Sequence, residues 1–200
     1  VLTDNFAAAQ RAVRHLLDLG HTRIGHIMGL SKNSQPSDRL LGYRAAMEAA
    51  GLPIEPDWVM PGDFSMAGGV RAAALFAAMP DKPTAVFAGN DESAIGFIRG
   101  LREHGLDCPR DVSVIGFDDI NIAGFFHPPL TTMRQPREEI GRRATAILID
   151  LIENRGPRGV ARAILRSELV VRASTRQLAA EPAPVSDQPK RRRLSLAGGI

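Results

Sequence analysis

Residues 84–119 read TAVFAGNDESAIGFIRGLREHGLDCPRDVSVIGFDD, and the fold class turns on them. Thr84 to Ala88 is a short strand, apolar after Thr84. Asn90 or Asp91 then caps a helix that runs to His104 and stops at Gly105. Val112 to Phe117 is again an apolar strand. A strand, a helix and a second strand without polar alternation describe a crossover in a sheet buried on both faces.

Working outward, the same unit recurs. Asn5 to Leu19 carries Phe6, Ala9, Val13, Leu16 and Leu17 at helical spacing and is closed by Gly20. Arg23 to Gly29 is a strand, after which Ser37 caps a helix ending at Gly51. Asp57 to Pro61 reads as a strand, and Ser65 opens an alanine-rich helix to Met79. Beyond Phe117 come the turn GFFHPPL, a strand in LTTMRQ, a helix from Pro136 to Asn154 and an extended segment, Ala163 to Arg172. The chain is therefore read as α/β, a doubly wound parallel sheet. Residues 1–178 form the domain, and 179–200, rich in proline and without periodicity, are read as a disordered basic tail.

Composition narrows the function. The 44% hydrophobic and 24% charged fractions are those of a globular domain. No apolar run is long enough to span a membrane, and no secretion signal opens the chain. The net charge of +3 divides into +2 for residues 179–200 and +1 for the remainder, so the body lacks the basic face that DNA binding requires. The run PKRRRLS at 189–195 suits nucleic acid or phosphate, but also a plain solvated tail. The single cysteine, Cys108, excludes a disulfide framework and reads as incidental. No phosphate loop, nucleophile elbow or metal-spaced histidine set is present, so no catalytic residue, metal or cofactor is expected.

Ligands of open parallel sheets bind beyond the carboxyl ends of the strands. Successive strand ends here supply Arg39, Phe64, Asn90 and Asp118. A guanidinium, an aromatic ring, an amide and a carboxylate on one rim suit a polyhydroxylated or heterocyclic ligand. Each also has a plainer role. Asn90 can simply cap its helix, Asp118 and Asp119 can cap the turn at 120–126, Phe64 can be a hydrophobic staple, and Arg39 can pair with Asp38 or Asp63.

The series HLLDLGHTRIGHIMG, GYRAAMEAAGL, PTAVFAGNDESAIGFIRGL, VSVIGFDD, PPLTTMRQP and SELVVRAST resembles the lactose- and galactose-repressor (LacI/GalR) family of bacterial transcription factors, from about Asp4 to Thr175. The resemblance implies a lobe of the type I periplasmic-binding-protein-like core, a Rossmann-like three-layer arrangement that binds a small sugar or related effector. It places effector contacts on the four rim residues, with Asp4, Asn33 and Gln35 as weaker candidates. It further implies a homodimer and a cytoplasmic location. A local counterpart is the apolar arc of about 160° that Ala94, Ile95, Phe97, Ile98 and Leu101 make on the helix after Asn90, with a second patch at Gly124–Pro128. An interface through Ile95, Ile98, Phe125 and Phe126 is expected there, the alternative being that both patches belong to the lobe's own core. Operator DNA would be reached only through a helix-turn-helix headpiece expected, with most of the first lobe, to lie outside this chain. The helix after Pro136 should then expose Ile140, Ala144, Ile147, Leu148 and Leu151. A periplasmic sugar-binding protein of a transporter shares the fold and stands as the alternative.

Overall fold

A computed structural model of the chain describes residues 1–29, 37–153 and 162–178. Its strands are β1 (Leu2–Thr3), β2 (Ile24–Ile27), β3 (Val59–Met60), β4 (Ala85–Ala88), β5 (Ser113–Asp118), β6 (Thr131–Arg134), β7 (Ile164–Leu165) and β8 (Glu168–Val170). The helices are α1 (Asn5–Asp18), α2 (Asp38–Ala49), α3 (Met66–Ala78), α4 (Asp91–Glu103) and α5 (Arg137–Ile152). The main sheet has the order β3-β2-β4-β5-β6-β8, parallel throughout except for β8, which pairs antiparallel to β6 with Met133 opposite Leu169. A separate ribbon pairs β1 with β7 in parallel, Thr3 opposite Leu165. The doubly wound reading of the sequence is what the chain adopts.

Alternation along the strands sorts side chains between two helical layers. Ile24, Ala85, Phe87, Ile115 and Phe117 pack under α1 and α2 against Val13, Leu16, Tyr43 and Met47. Ile27, Val86, Ala88 and Val114 pack on the other face against Phe76, Phe97, Ile98 and Leu101 of α3 and α4. These two helices cross at near-backbone contact because Gly69 meets the backbone of Ser93 and Phe97 while Gly96 meets that of Met66. A Cβ at either glycine would force them apart.

Helix starts follow their caps. Ser37 accepts from the Leu40 amide, Ser65 from Gly68 and Asn90 from Ser93. Three expectations need adjusting. Pro56 starts a single 3-10 turn, Pro56–Trp58, which shortens the strand expected at 57–61 to Val59–Met60. The extended segment at 163–172 is broken at Arg166 and Ser167, so its halves pair in different sheets. Cys108 is not a loop bystander; it is buried, with its thiol donating to the Ser174 carbonyl. Of the face expected to be exposed on α5, Ala144, Leu148 and Leu151 are exposed, whereas Ile140 and Ile147 are half-buried; no residue of the helix is fully buried. The tail at 179–200 lies outside the described residues.

His26 and His21 are both buried, and His26 is the one whose ring lies inside the core. It stacks between Tyr43 and Phe87, and its Nδ1–H donates to the Phe87 carbonyl at 2.8 Å. Nε2 has no partner, so a proton there would be an unpaired buried charge. Burial, with Arg39 and Arg44 adding repulsion against the help of the Phe87 bond, drives its pKa from 6.5 to about 4. Between those values the unfolded chain binds a proton that the folded chain refuses. Stability is then full above pH 6.5 and falls as the pH drops towards 4, by about 3 kcal/mol from this residue. Urea unfolding at a series of pH values should show this slope, and His26→Phe should make it shallower.

Candidate functional site

The order of the sheet sets the place. From β2 the chain steps outward to β3 and then back across to β4, so the topological switch point lies beyond the carboxyl ends of β2 and β4. Arg39 sits in the first turn of α2 after β2, Phe64 follows β3, Asn90 follows β4 and Asp118 ends β5. The structure brings all four together.

Arg39 is their centre. Its guanidinium lies on the Phe117 ring, with Cζ 3.7 Å from the ring centroid and 5.8 Å from that of Phe64. Nε donates to Asn5 Oδ1 at 3.1 Å, Nη1 donates to the Gly89 carbonyl, and Nη2 stands 3.5 Å from Asp118 Oδ1. The pairings considered with Asp38 and Asp63 are not made, since Asp63 is held by Arg71 and by the Ser65 hydroxyl and amide. Phe64 has a φ of 64°, a left-handed conformation that is uncommon for an aromatic residue. Its ring covers Gly29, where any Cβ would collide with it. The Asn90 amide does two tasks: Oδ1 caps α4, and Nδ2 donates to the Phe64 carbonyl at 2.9 Å. The capping role considered for Asn90 is therefore real, and the same side chain fastens the turn that presents Phe64.

Asp118 and Asp119 diverge although they are neighbours. Both have positive φ, 120° and 55°, and they project differently. Asp119 is anchored: Oδ2 accepts from Arg134 Nε at 2.6 Å, Oδ1 from Arg172 Nη2 at 2.7 Å, and its carbonyl from Arg137 at 2.7 Å. Burial pushes its carboxyl up, but the bonds from Arg134 and Arg172 outweigh that and hold it below the ordinary range. Asp118 is offered to the rim, accepting from Gln135 Nε2 at 2.5 Å beside Arg39. Here burial wins over Arg39 and Gln135, and the carboxyl lies above its ordinary value. Neither caps the following turn. The Ile120 amide donates instead to the buried Asp91, whose other oxygen accepts from Thr132.

Asp4 caps α1 through the Ala7 amide, next to the Asn5 that holds Arg39. Asn33 and Gln35 lie outside the described residues. Sequence reasoning missed Asn5 and Gln135 as supports; the signal for Gln135 was its place directly after a strand and before Pro136. Among the described residues no cluster of three or more His, Cys, Asp or Glu stands ready for a metal ion.

The expected interface needs correcting at Ile98. It has no exposed surface, because α3 and the sheet already enclose it, so it has nothing to present to a second chain. Ile95 is buried as well but borders a groove of about 670 Å³ between α3 and α4, shared with Met66, Arg99 and Phe126. Phe125 is 90% exposed.

The anchoring of Asp119 has a measurable consequence. Asp119→Ala strands the partly buried Arg172 and should cost about 3 kcal/mol in urea unfolding, since breaking a buried pair leaves a charge uncompensated. Asp81→Ala, which breaks the exposed pair with Arg23, should cost less than about 1 kcal/mol.

The periplasmic binding protein-like domain family matches residues 13–175. The chain is 39% identical over 168 residues to the transcriptional repressor PurR of Photobacterium profundum, covering 84% of this chain and 50% of that protein. It is also 39% identical over 175 residues to the repressor CytR of Escherichia coli, covering 88% and 51%. A LacI family regulator from Enterococcus faecium, solved with bound ribose, superposes with a TM-score of 0.78 at 33% identity, covering 88% of this chain and 65% of that one. The chain spans about half the length of the curated relatives it matches. With the switch-point site in place, these matches make the chain a member of the periplasmic binding protein-like family, a ligand-binding core of the LacI type.

Proposed function

We propose that this chain senses a small, neutral, polyhydroxylated effector, a sugar or a related nucleobase-bearing compound, for a bacterial transcription regulator. The observation that carries the reading is the Arg39–Asp118 pair at the switch point, flanked by Phe64. Adjacent hydroxyls can donate to the Asp118 carboxylate and accept from Arg39 at once, while the Phe64 ring meets the apolar face of the ligand. The bound ribose of the Enterococcus faecium regulator favours a sugar. That the relatives are repressors favours a regulator over a transport receptor.

The mechanism is a population shift. A ligand that binds one arrangement of the core more tightly moves the equilibrium by that difference and no further. Operator DNA is then reached through a headpiece outside this chain, in the cytoplasm, and the site holds, orients and releases its ligand without catalysis. The expected homodimer would use the exposed Phe125, the half-buried Phe126 and the groove that Ile95 borders, whose rim also carries Arg71, Arg99, Arg102 and Glu103.

The test is calorimetric titration of the intact protein with ribose and a panel of pentoses, hexoses and nucleosides, compared with Asp118→Ala. Loss of a charged acceptor should weaken the ligand that binds by roughly 10- to 150-fold, the equivalent of about 1.5–3 kcal/mol. Affinity within about twofold of wild type would remove Asp118 from the site.

A further inference from the structure

Beside Arg39, Phe64, Asn90 and Asp118 stands Gln135, the amide that supports Asp118 and whose other end faces away from the rim. Gln135 lies where β6 ends and the chain turns through Pro136 into α5. Its side chain is engaged in two directions: Nε2 donates to Asp118 Oδ1 at 2.5 Å, and Oε1 accepts from Thr3 Oγ1 at 2.9 Å. Thr3 belongs to β1, which among the described residues pairs with β7 alone, in the ribbon that stands apart from the main sheet. One amide thus connects the carboxylate at the rim to a different sheet.

The residue type fits that task. A primary amide is both donor and acceptor at its tip; a glutamate would set a second carboxylate against Asp118, and a leucine would bond to neither neighbour. The oxygen that Gln135 holds is also the one that Arg39 approaches. A ligand hydroxyl arriving at Asp118 therefore competes for the same oxygen, and whatever it does to the Gln135 bond is felt at Thr3. The ribbon itself is short: β1 and β7 are two residues each, joined by the Leu2 amide to the Ala163 carbonyl at 2.8 Å and the Asp4 amide to the Leu165 carbonyl at 3.0 Å. A weakly held element coupled to a binding group is the kind that responds to occupancy.

We propose that Gln135 is a positioning residue that links the Asp118 carboxylate to Thr3, so that the β1–β7 ribbon responds to what Asp118 binds. This rests on the effector reading for its biological meaning, but the physical link exists without a ligand and is tested without one.

The experiment is hydrogen exchange of the Asp4 amide in the intact, ligand-free protein, run as a double-mutant cycle. Asp118→Ala should speed that exchange about fivefold, the loss of one ordinary hydrogen bond's support. In a Gln135→Leu background the same substitution should add nothing, because the connection is already cut. The Val114 amide, bonded to Ser174 at the opposite end of β5, should keep its rate in every variant, which separates a local link from general loosening. If Gln135→Leu does not fold, Gln135→Glu serves, since it breaks the bond to Asp118 and keeps an acceptor for Thr3. Equal acceleration in both backgrounds, or none in either, overturns the proposal. Should the cycle show coupling while Asp118→Ala still binds its ligand normally, the link stands and the effector reading fails.

Discussion

The two arginines on Asp119 are the constraint on which the site depends. Arg134 and Arg172 grip its separate oxygens at 2.6 and 2.7 Å, and Arg137 takes its carbonyl. This fixes two consecutive residues in a left-handed backbone that side chains other than glycine seldom adopt, at a cost of about 1–3 kcal/mol each. The anchoring pairs offset that cost. Their product is direction: once Asp119 is turned inward, Asp118 points to Arg39 and the rim. An identical residue type at the next position thus has the opposite task, and environment alone divides them.

The rest of the rim is held just as firmly by contacts within the chain. Arg39 is flat on Phe117 and bonded to Asn5 and to the Gly89 carbonyl, which leaves its remaining donors a fixed direction. Asn90 fastens the Phe64 turn, and Gly29 gives the ring room to settle. On the proposed effector reading, a ligand entering such a site would meet groups whose ordering entropy folding has already met, leaving its binding energy for selecting one arrangement of the core. That is the property a sensing domain requires, and it agrees with membership in a family of ligand-binding cores.

Much of this was legible in the chain. Short apolar runs marked the strands, caps at Ser37, Ser65 and Asn90 and stops at Gly20, Gly51 and Gly105 marked the helices, and the loops at the carboxyl ends of the strands held Arg39, Phe64, Asn90 and Asp118. What could not be read depends on partners distant in sequence. Asp119 and Arg172 are 53 positions apart, and Thr3 and Gln135 are 132 apart, so no local pattern joins them. Ile98 shows a second limit. The breadth of the apolar arc on α4 says that something covers it, but not whether that is α3 or another chain; the close crossing at Gly69 and Gly96 decides for α3. For His26, spacing excluded a metal role, yet its stacking between Tyr43 and Phe87 needed the third dimension.

The division of labour between the two aspartates is best tested by following their carboxyl carbons by NMR across an acid titration of the ligand-free protein. Asp119 should hold its charge to a pH below the ordinary carboxylate value, because Arg134 and Arg172 outweigh its burial. Asp118 should take up its proton above that value, because burial outweighs Arg39 and Gln135. Finding the two carboxyls titrating together, or in the reverse order, would contradict the account of which aspartate anchors the site and which one is offered to the ligand.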